Sequence, residues 1–201
     1  MRIVESNLVS SSGKLNKMPP PDLPEVAFAG RSNVGKSSLL NALTERKSLF
    51  KVGKSPGRTR TVVHVKARLE TGAEIYLVDL PGFGFAKVSK QMSDAWMPLI
   101  ETYLLHRPTL HLVAVLVDVR RGPEEEEISL FEFLADRGIP ALLVATKLDR
   151  LPKAKQKPAL DTLRKATGVA VIGTSGTTRQ GVDDLLRTLA KSCGFTASPA
   201  T

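Results

Sequence analysis

Apolar residues along the strand-forming stretches fall into two patterns, unbroken and alternating. Residues 112–118, 139–145 and 169–173 are nearly unbroken apolar runs, as is the shorter 25–29. Runs of this length predict strands buried on both faces, as in a parallel sheet covered by helices. Residues 61–69 differ: Val63, Val65, Ala67 and Leu69 fall on one side and His64, Lys66 and Arg68 on the other, the pattern of a half-buried strand. A Thr71-Gly72 turn leads from there into 75–79, so the hairpin sets one antiparallel edge strand beside an otherwise parallel sheet of six strands. Residues 2–9 have the character of a short strand, but Ser10-Ser11-Ser12-Gly13 and Pro19-Pro20-Pro21 break regular structure after it. Residues 1–22 therefore read as an extended lead-in.

Helical spacing fills the gaps between strands. Leu39, Leu40 and Leu43 share one face, as do Met92, Trp96, Leu99, Ile100 and Tyr103, although Pro98 should kink or restart that helix. Pro123 followed by Glu124, Glu125, Glu126 and Glu127 marks a helix start with carboxylates at the positive dipole end, read as a solvated, capped first turn, and Gly138 marks its stop. Residues 158–167, closed by Gly168, form another helix, with its start before or at Pro158 left open. Val182, Leu185, Leu186 and Leu189 give the last helix, ending near Gly194. One α/β domain over 23–194, with helices on both faces of the sheet, is expected, followed by a frayed tail over 195–201.

The chemistry concentrates where strands end. After the first apolar run the chain reads Gly30-Arg31-Ser32-Asn33-Val34-Gly35-Lys36-Ser37-Ser38, which satisfies the phosphate-loop spacing G-x-x-x-x-G-K-[ST] in a strand, loop, helix context. Its glycines let backbone N–H groups approach a polyphosphate, and the helix start adds a positive dipole. Lys36 is expected on the β- and γ-phosphates and the Ser37 hydroxyl on Mg²⁺. The loop alone does not separate GTPases from ATPases or nucleotide kinases. Asp79-Leu80-Pro81-Gly82 closes the 75–79 strand, where a metal-side aspartate and a γ-phosphate-sensing glycine are wanted. Thr146-Lys147-Leu148-Asp149 closes the 139–145 strand. The Asp149 carboxylate can accept from guanine N1–H and the 2-amino group, which adenine lacks. Lys147 would lie along the base, and Thr174-Ser175-Gly176 could bring a backbone N–H to the guanine carbonyl. All these motifs stand at carboxyl ends of strands, where open α/β sheets bind ligands. Asp118 also ends a strand, but no nucleotide role follows and it reads as structural.

Composition narrows the setting. With 29 Lys plus Arg against 20 Asp plus Glu the net charge is +9 and the pI about 9.8, a balance that favours polyanionic partners such as RNA or an acidic membrane surface. Six basic residues and no acidic one fall in 46–60, and Lys147, Arg150, Lys153, Lys155, Lys157, Arg164 and Lys165 face only Asp149 and Asp161 in 147–165. Either cluster could meet phosphates or be ordinary solvated surface. Cys193 is the single cysteine, which excludes an internal disulfide or a cysteine metal cage and fits a reducing, cytoplasmic compartment. No apolar run reaches a membrane span.

These stretches resemble the translation-factor-related GTPases of the TrmE-Era-EngA-EngB-like group, and within them the bacterial EngB (YsxC/YihA) family of ribosome-biogenesis GTPases. The carrying segments are Gly30 through Asn41, Pro56-Gly57-Arg58-Thr59-Arg60-Thr61, Asp79-Leu80-Pro81-Gly82-Phe83-Gly84 and Thr146-Lys147-Leu148-Asp149. The resemblance implies a Ras-like P-loop fold with GTP or GDP across the carboxyl edge, and it puts Gly57, Arg58, Thr59, Arg60 and Thr61 at the nucleotide. Thr59 would then be the effector-loop threonine on Mg²⁺ and the γ-phosphate, beside Ser37 and Asp79 as metal ligands; an ordinary loop threonine is the alternative. Gly173-Thr174-Ser175-Gly176 departs from the family's aromatic-serine-serine and leaves the base-contacting register open by about one position. Phe83 stands where many small GTPases have a water-orienting glutamine and cannot hydrogen-bond to water. Asn33 resembles the asparagine of K⁺-using GTPases, the alternative being that it only shapes the loop.

The expected activity is slow GTP hydrolysis with Lys36, Thr59 and Gly82 in catalytic or sensing roles. The expected function is a monomeric cytoplasmic switch for large ribosomal subunit assembly, and thereby for normal cell division and septation. Two rival readings are a small metabolite kinase, which the Thr146-Lys147-Leu148-Asp149 motif disfavours, and a nucleotide-binding module at the membrane or division machinery without ribosome contact, which Phe83 keeps open.

Overall fold

A computed structural model describes residues 1–50, 61–82 and 90–196, with side chains apart from those of Leu15 and residues 90–97. Among the described residues seven strands form one sheet: β1 (Ile3–Ser12), β2 (Glu25–Gly30), β3 (Val62–Leu69), β4 (Glu74–Asp79), β5 (Leu110–Asp118), β6 (Ala141–Thr146) and β7 (Ala170–Gly173). Their order is β1-β3-β4-β2-β5-β6-β7. β4, β2, β5, β6 and β7 pair in parallel, while β3 is antiparallel to both β4 and β1.

The expected α/β class and mostly parallel sheet are present, with two corrections of detail. The sheet has seven strands rather than six, and the antiparallel strand β3 is not at the edge, because β1 covers it. β1 escapes a period-two reading for a physical reason. Two register shifts, between Ile3 and Glu5 and between Leu8 and Ser10, interrupt its alternation, and only Ile3, Ser6 and Ser12 are buried. As an edge strand with one bulged side it needs few apolar residues.

Among the described residues five α-helices cover the two faces. α1 (Lys36–Leu43) and α5 (Val182–Ser192) pack Leu39, Leu40, Leu43, Leu185, Leu186 and Leu189 on one face. α2 (Lys90–His106), α3 (Glu125–Asp136) and α4 (Lys153–Thr167) pack Ile100, Tyr103, Leu104, Phe131, Leu134 and Leu163 on the other. α2 continues through Pro98, so the helix does not restart there, and α4 begins before Pro158. One missing N–H per helix costs less than the burial of the apolar residues that follow the proline returns, Ile100, Tyr103 and Leu104 in α2 and Leu163 in α4. The first turn of α3 is capped as expected, by a reciprocal box in which the Glu124 N–H donates to Glu127 Oε2 at 3.0 Å. Its full solvation is corrected: Glu127 is buried, which raises its pKa against the pull of a backbone N–H and of Arg31.

The amino-terminal edge of the sheet is held by a buried carboxylate. Glu25, the first residue of the central strand β2, is fully buried and accepts from Tyr103 Oη at 2.7 Å, Arg107 Nε at 2.6 Å and Thr109 Oγ1 at 2.8 Å. Arg107 Nη2 also donates to Pro19 O at 2.8 Å, which ties residues before β2 to the end of α2. His64 was expected on a polar strand face but is fully buried, with Nε2 3.6 Å from Glu25 and neither ring nitrogen hydrogen-bonded among the described residues. Burial alone would raise the Glu25 pKa, but the His64 ring, Arg107, Tyr103 and Thr109 outweigh it and hold the carboxyl at about 2.

A carboxyl held below its unfolded value of 4.5 stabilises the fold above that pH and loses its contribution as pH falls toward about 2. Glu25→Gln should cost about 3 kcal/mol at neutral pH by leaving Arg107 without its counter-charge. The gap to the parent protein should narrow in urea titrations run between pH 4.5 and pH 3, below the unfolded value. A gap of constant size over that interval would remove Glu25 from the acid response.

Candidate functional site

The carboxyl ends of β2, β4, β5, β6 and β7 lie along one edge, and the phosphate-loop sequence joins β2 to α1 there. Gly30 is required by packing: a Cβ on it would stand 3.0 Å from Leu116 Cβ and 3.1 Å from Val34 Cγ1. Asn33 and Gly35 take left-handed backbone angles, φ 64° and 109°, and Gly35 precedes the first turn of α1. Alternation of this kind turns successive N–H groups to one side, the geometry of an anion nest at a helix start. Lys36, Ser37 and Ser38 occupy the first turn of α1. Lys36 Nζ donates to the Asp79 carboxylate and to Leu80 O, the latter at 2.6 Å. Leu80 is anchored by its own N–H to Phe28 O at 3.0 Å, beside a buried Pro81. Gly82 lies against the same loop, its Cβ position 3.4 Å from Gly30 O and 3.5 Å from Ser32 N.

The 146–149 turn reaches back to this loop. Thr146 Oγ1 is buried and donates to Val34 O at 2.6 Å. Lys147, at φ 59°, sends Nζ to Asn33 O at 2.8 Å and stands 3.1 Å from Asp118 Oδ2. Asp118, read from sequence as a structural strand end, is therefore the counter-ion of Lys147. Burial would raise its pKa, but Arg120 and Lys147 hold it well below the carboxylate range. The residue's position, at a strand end like Asp79, was the available signal.

A cleft lies between the 146–149 turn and the 174–176 loop, lined by Gly35, Ser38, Thr146, Lys147, Asp149 and Gly176 among others. Leu148 N donates to Thr174 O at 3.0 Å and holds the two segments together. In the 174–176 loop, whose register the sequence leaves open, two of the three backbone N–H groups are already engaged. Thr174 N donates to Ala145 O at 2.7 Å and Ser175 N to Gln180 O at 2.9 Å, and the Ser175 hydroxyl accepts from Thr177 N and Thr178 N. Both residues are fully buried. Only the Gly176 N–H of the three has no acceptor among the described residues, and Gly176 borders the cleft. A Cβ on Gly176 would stand 2.9 Å from Ser38 C and 3.0 Å from Leu39 N, so only glycine lets this loop rest on α1.

The remaining expected site residues divide. The Thr61 hydroxyl shares a 2.9 Å hydrogen bond with Ser11 on β1. Gly57, Arg58, Thr59, Arg60 and Phe83 lie outside the described residues. Arg31 is a contact the sequence did not suggest: its guanidinium pairs with Glu124 and stands 3.4 Å from Glu126 at the start of α3. For Mg²⁺, Ser37 and Asp79 offer hard oxygen donors next to the anion nest. An ion that takes one or two protein oxygens and completes its shell with phosphates and water fits this set. Among the described residues no cluster of three His, Cys, Asp or Glu side chains forms a protein-only cage.

A phosphate nest on a β-strand to α-helix turn, an acid and glycine at the neighbouring strand, and a Thr-Lys-Leu-Asp turn across the edge define a P-loop GTPase. The family model described as "50S ribosome-binding GTPase" matches residues 25–147. The "Probable GTP-binding protein EngB" of Syntrophotalea carbinolica is 42% identical over 192 residues, covering 94% of this chain and 91% of that one. The protein of the same name from Bacillus subtilis is 39% identical over 188 residues, covering 92% and 94%. A crystal structure of a probable GTP-binding protein engB superposes with a TM-score of 0.67 at 23% identity, covering 85% of this chain and 98% of that one, a likeness of fold. The chain belongs to the EngB family of GTP-binding proteins, and it is a GTP-hydrolysing enzyme.

Thr146→Val is expected to lower stability by about 1–2 kcal/mol, because Val34 O loses its donor in a buried position while side-chain volume is kept. Thr146→Ser should restore most of the loss. Thermal unfolding of the three proteins checks this, and equal midpoints for Val and Thr would show that Val34 O is satisfied otherwise.

Proposed function

We propose that this GTPase is a switch that associates with the large ribosomal subunit or its precursor, and that its role in division follows from that assembly step. The observation that carries this reading is the placement of charge. α4 starts directly after the 146–149 turn, and Lys153, Lys155 and Lys157 in its first turns are exposed at the nucleotide edge. The family description, 50S ribosome-binding GTPase, supports the same partner class. Lys51 and Lys54, the other half of the expected basic surface, lie outside the described residues. The protein would act as a monomer in the cytoplasm.

In this reading Lys36 exchanges Asp79 and Leu80 O for the β- and γ-phosphates, since an ammonium already held at the mouth of the nest needs only a short swing. Asp149 accepts from guanine N1–H and the 2-amino group, and the Gly176 N–H donates to the 6-carbonyl. Ser37 and Asp79, with Thr59, would hold Mg²⁺, which supplies charge neutralisation at the phosphate oxygens. Gly82, which lies against Gly30 and Ser32, would register whether a γ-phosphate is there. With Phe83 in place of a water-orienting side chain, hydrolysis is slow in the absence of a partner. Asn33, an exposed residue of the phosphate loop whose carbonyl is engaged by Lys147, would help hold K⁺ beside the phosphates through its side-chain oxygen.

GTP turnover should be several-fold faster in K⁺ than in Na⁺ at equal ionic strength, a ~1 kcal/mol effect on the barrier. Asn33→Ala should erase the difference; identical rates of the parent protein in the two salts would sink the K⁺ reading. Binding to purified large subunits should be stronger with a non-hydrolysable GTP analogue than with GDP and should fall steeply with salt as counterions are released. Sedimentation with Lys153→Glu/Lys155→Glu tests the surface. Salt-insensitive binding, or equal binding by the double variant, would count against contact with rRNA phosphates, and retention on anionic vesicles instead of subunits would favour a membrane setting.

A further inference from the structure

One side chain bridges the two walls of the cleft from behind. Gln156, on α4, is not among the residues that line the cleft. Its Nε2 donates to Leu148 O and to Leu151 O, each at 3.1 Å, and its Oε1 accepts from Gln180 Nε2 at 2.8 Å. The two carbonyls can only accept, so they fix which way the Gln156 amide points and leave Oε1 as the acceptor for Gln180. Both donors and one acceptor site of the amide are used. Gln180 O in turn accepts from Ser175 N at 2.9 Å, and Leu148 N donates to Thr174 O at 3.0 Å. Leu148, Thr174, Ser175, Gln180 and Gln156 thus form a closed ring of hydrogen bonds and peptide links, with Asp149 on one side of it and Gly176 on the other.

Below the 148–150 turn the Leu148 side chain is buried in the core, but few hydrogen bonds fix the part that carries Asp149. The segment is a single 3₁₀ turn entered through the left-handed Lys147, with Arg150 N on Lys147 O at 2.9 Å and Leu151 N on Leu148 O at 3.1 Å. Gln156 grips it on either side of Asp149, at Leu148 and at Leu151. A change in that grip moves the Asp149 carboxylate relative to the Gly176 N–H, and hydrogen bonds weaken steeply outside a window of about half an ångström.

We propose that Gln156, acting with Gln180, is a positioning residue for guanine specificity: it sets the distance between the Asp149 carboxylate and the Gly176 N–H. The proposal rests on the reading above in which those two groups meet the base. It goes beyond that reading by assigning part of the specificity to two side chains that do not touch the nucleotide. Guanine and hypoxanthine share the 6-carbonyl and N1–H and differ in the 2-amino group, so loss of register falls on discrimination between them and not on phosphate binding.

The test is calorimetric titration of the full chain with GDP and with IDP, for the parent protein, Gln156→Met, Gln180→Met, the double variant and Asp149→Asn. Methionine keeps the length and removes the hydrogen bonds. Gln156→Met should weaken GDP binding about tenfold, roughly one or two hydrogen bonds' net contribution. It should also narrow the GDP:IDP preference several-fold. Gln180→Met should shift the same ratio in the same direction, and the double variant should be no worse than Gln156→Met alone, as expected for members of one ring. Equal weakening of GDP and IDP with an unchanged ratio would mean a merely structural role and would overturn the proposal. Should Gln156→Met fail to fold, the exposed Gln180→Met decides by the same ratio, narrowed in support or unchanged against. Asp149→Asn separates the two levels: if it leaves the GDP:IDP ratio unchanged, the base-site reading itself fails, whereas a collapsed ratio there with an intact one in Gln156→Met removes only Gln156.

Discussion

The carboxyl edge depends on the donors that the 146–149 turn sends to the carbonyls of the phosphate loop. A loop whose N–H groups converge on an anion must point its carbonyls the other way, and those carbonyls need partners if they are out of water. Thr146 supplies one to Val34 O and Lys147 one to Asn33 O. The same two residues begin the turn that carries Asp149, so the shape of the phosphate nest and the position of the proposed base acceptor are set together. Asp118 completes the arrangement, because an ammonium brought to a carbonyl in a half-buried place also needs a counter-charge.

At the other end of β2 a second cluster does comparable work without facing the nucleotide edge. Gly30 ends the strand where no side chain fits, and Glu25 begins it as a buried charge with three close donors. Those donors come from Tyr103, Arg107 and Thr109, and Arg107 also reaches Pro19 O. The central strand is thereby fixed in the direction of its own axis, which keeps the loop that follows it in register with β4 and β5. His64 sits in this cluster with its ring edge-on to Tyr76 and Tyr103, a packing role for a residue whose pattern suggested solvent.

The distribution of paired and unpaired cations matters more than the net charge of +9. Arg31, Lys36 and Lys147 are each matched to a carboxylate at the nucleotide edge, by Glu124, Asp79 and Asp118. Lys36 is the one whose carboxylate partner belongs to the proposed metal site, so its pairing is suited to exchange for phosphate. The exposed lysines opening α4 stand in high dielectric, where ion pairs such as Lys157 with Asp161 contribute little. Such lysines are available to a polyanion at small cost.

Sequence by itself determined what depends on neighbouring residues. The phosphate-loop spacing, the Thr-Lys-Leu-Asp turn, the apolar runs of β5, β6 and β7 and the capped start of α3 are local patterns, and each is found where its spacing put it. Tertiary structure decided what depends on a distant partner. β1 is a strand because β3 offers it an edge, α2 runs through Pro98 because the sheet holds the apolar residues after it, and His64 is buried because α2 covers that face. That Gly176, of three adjacent residues, keeps an unengaged N–H among the described residues follows from which N–H groups Ala145 O and Gln180 O have already taken. Lys147 finds Asn33 across 114 positions of sequence. A hydrogen-bond donor's residue type is written in the chain, but whether it is free or engaged is settled only when the fold brings the acceptor to it.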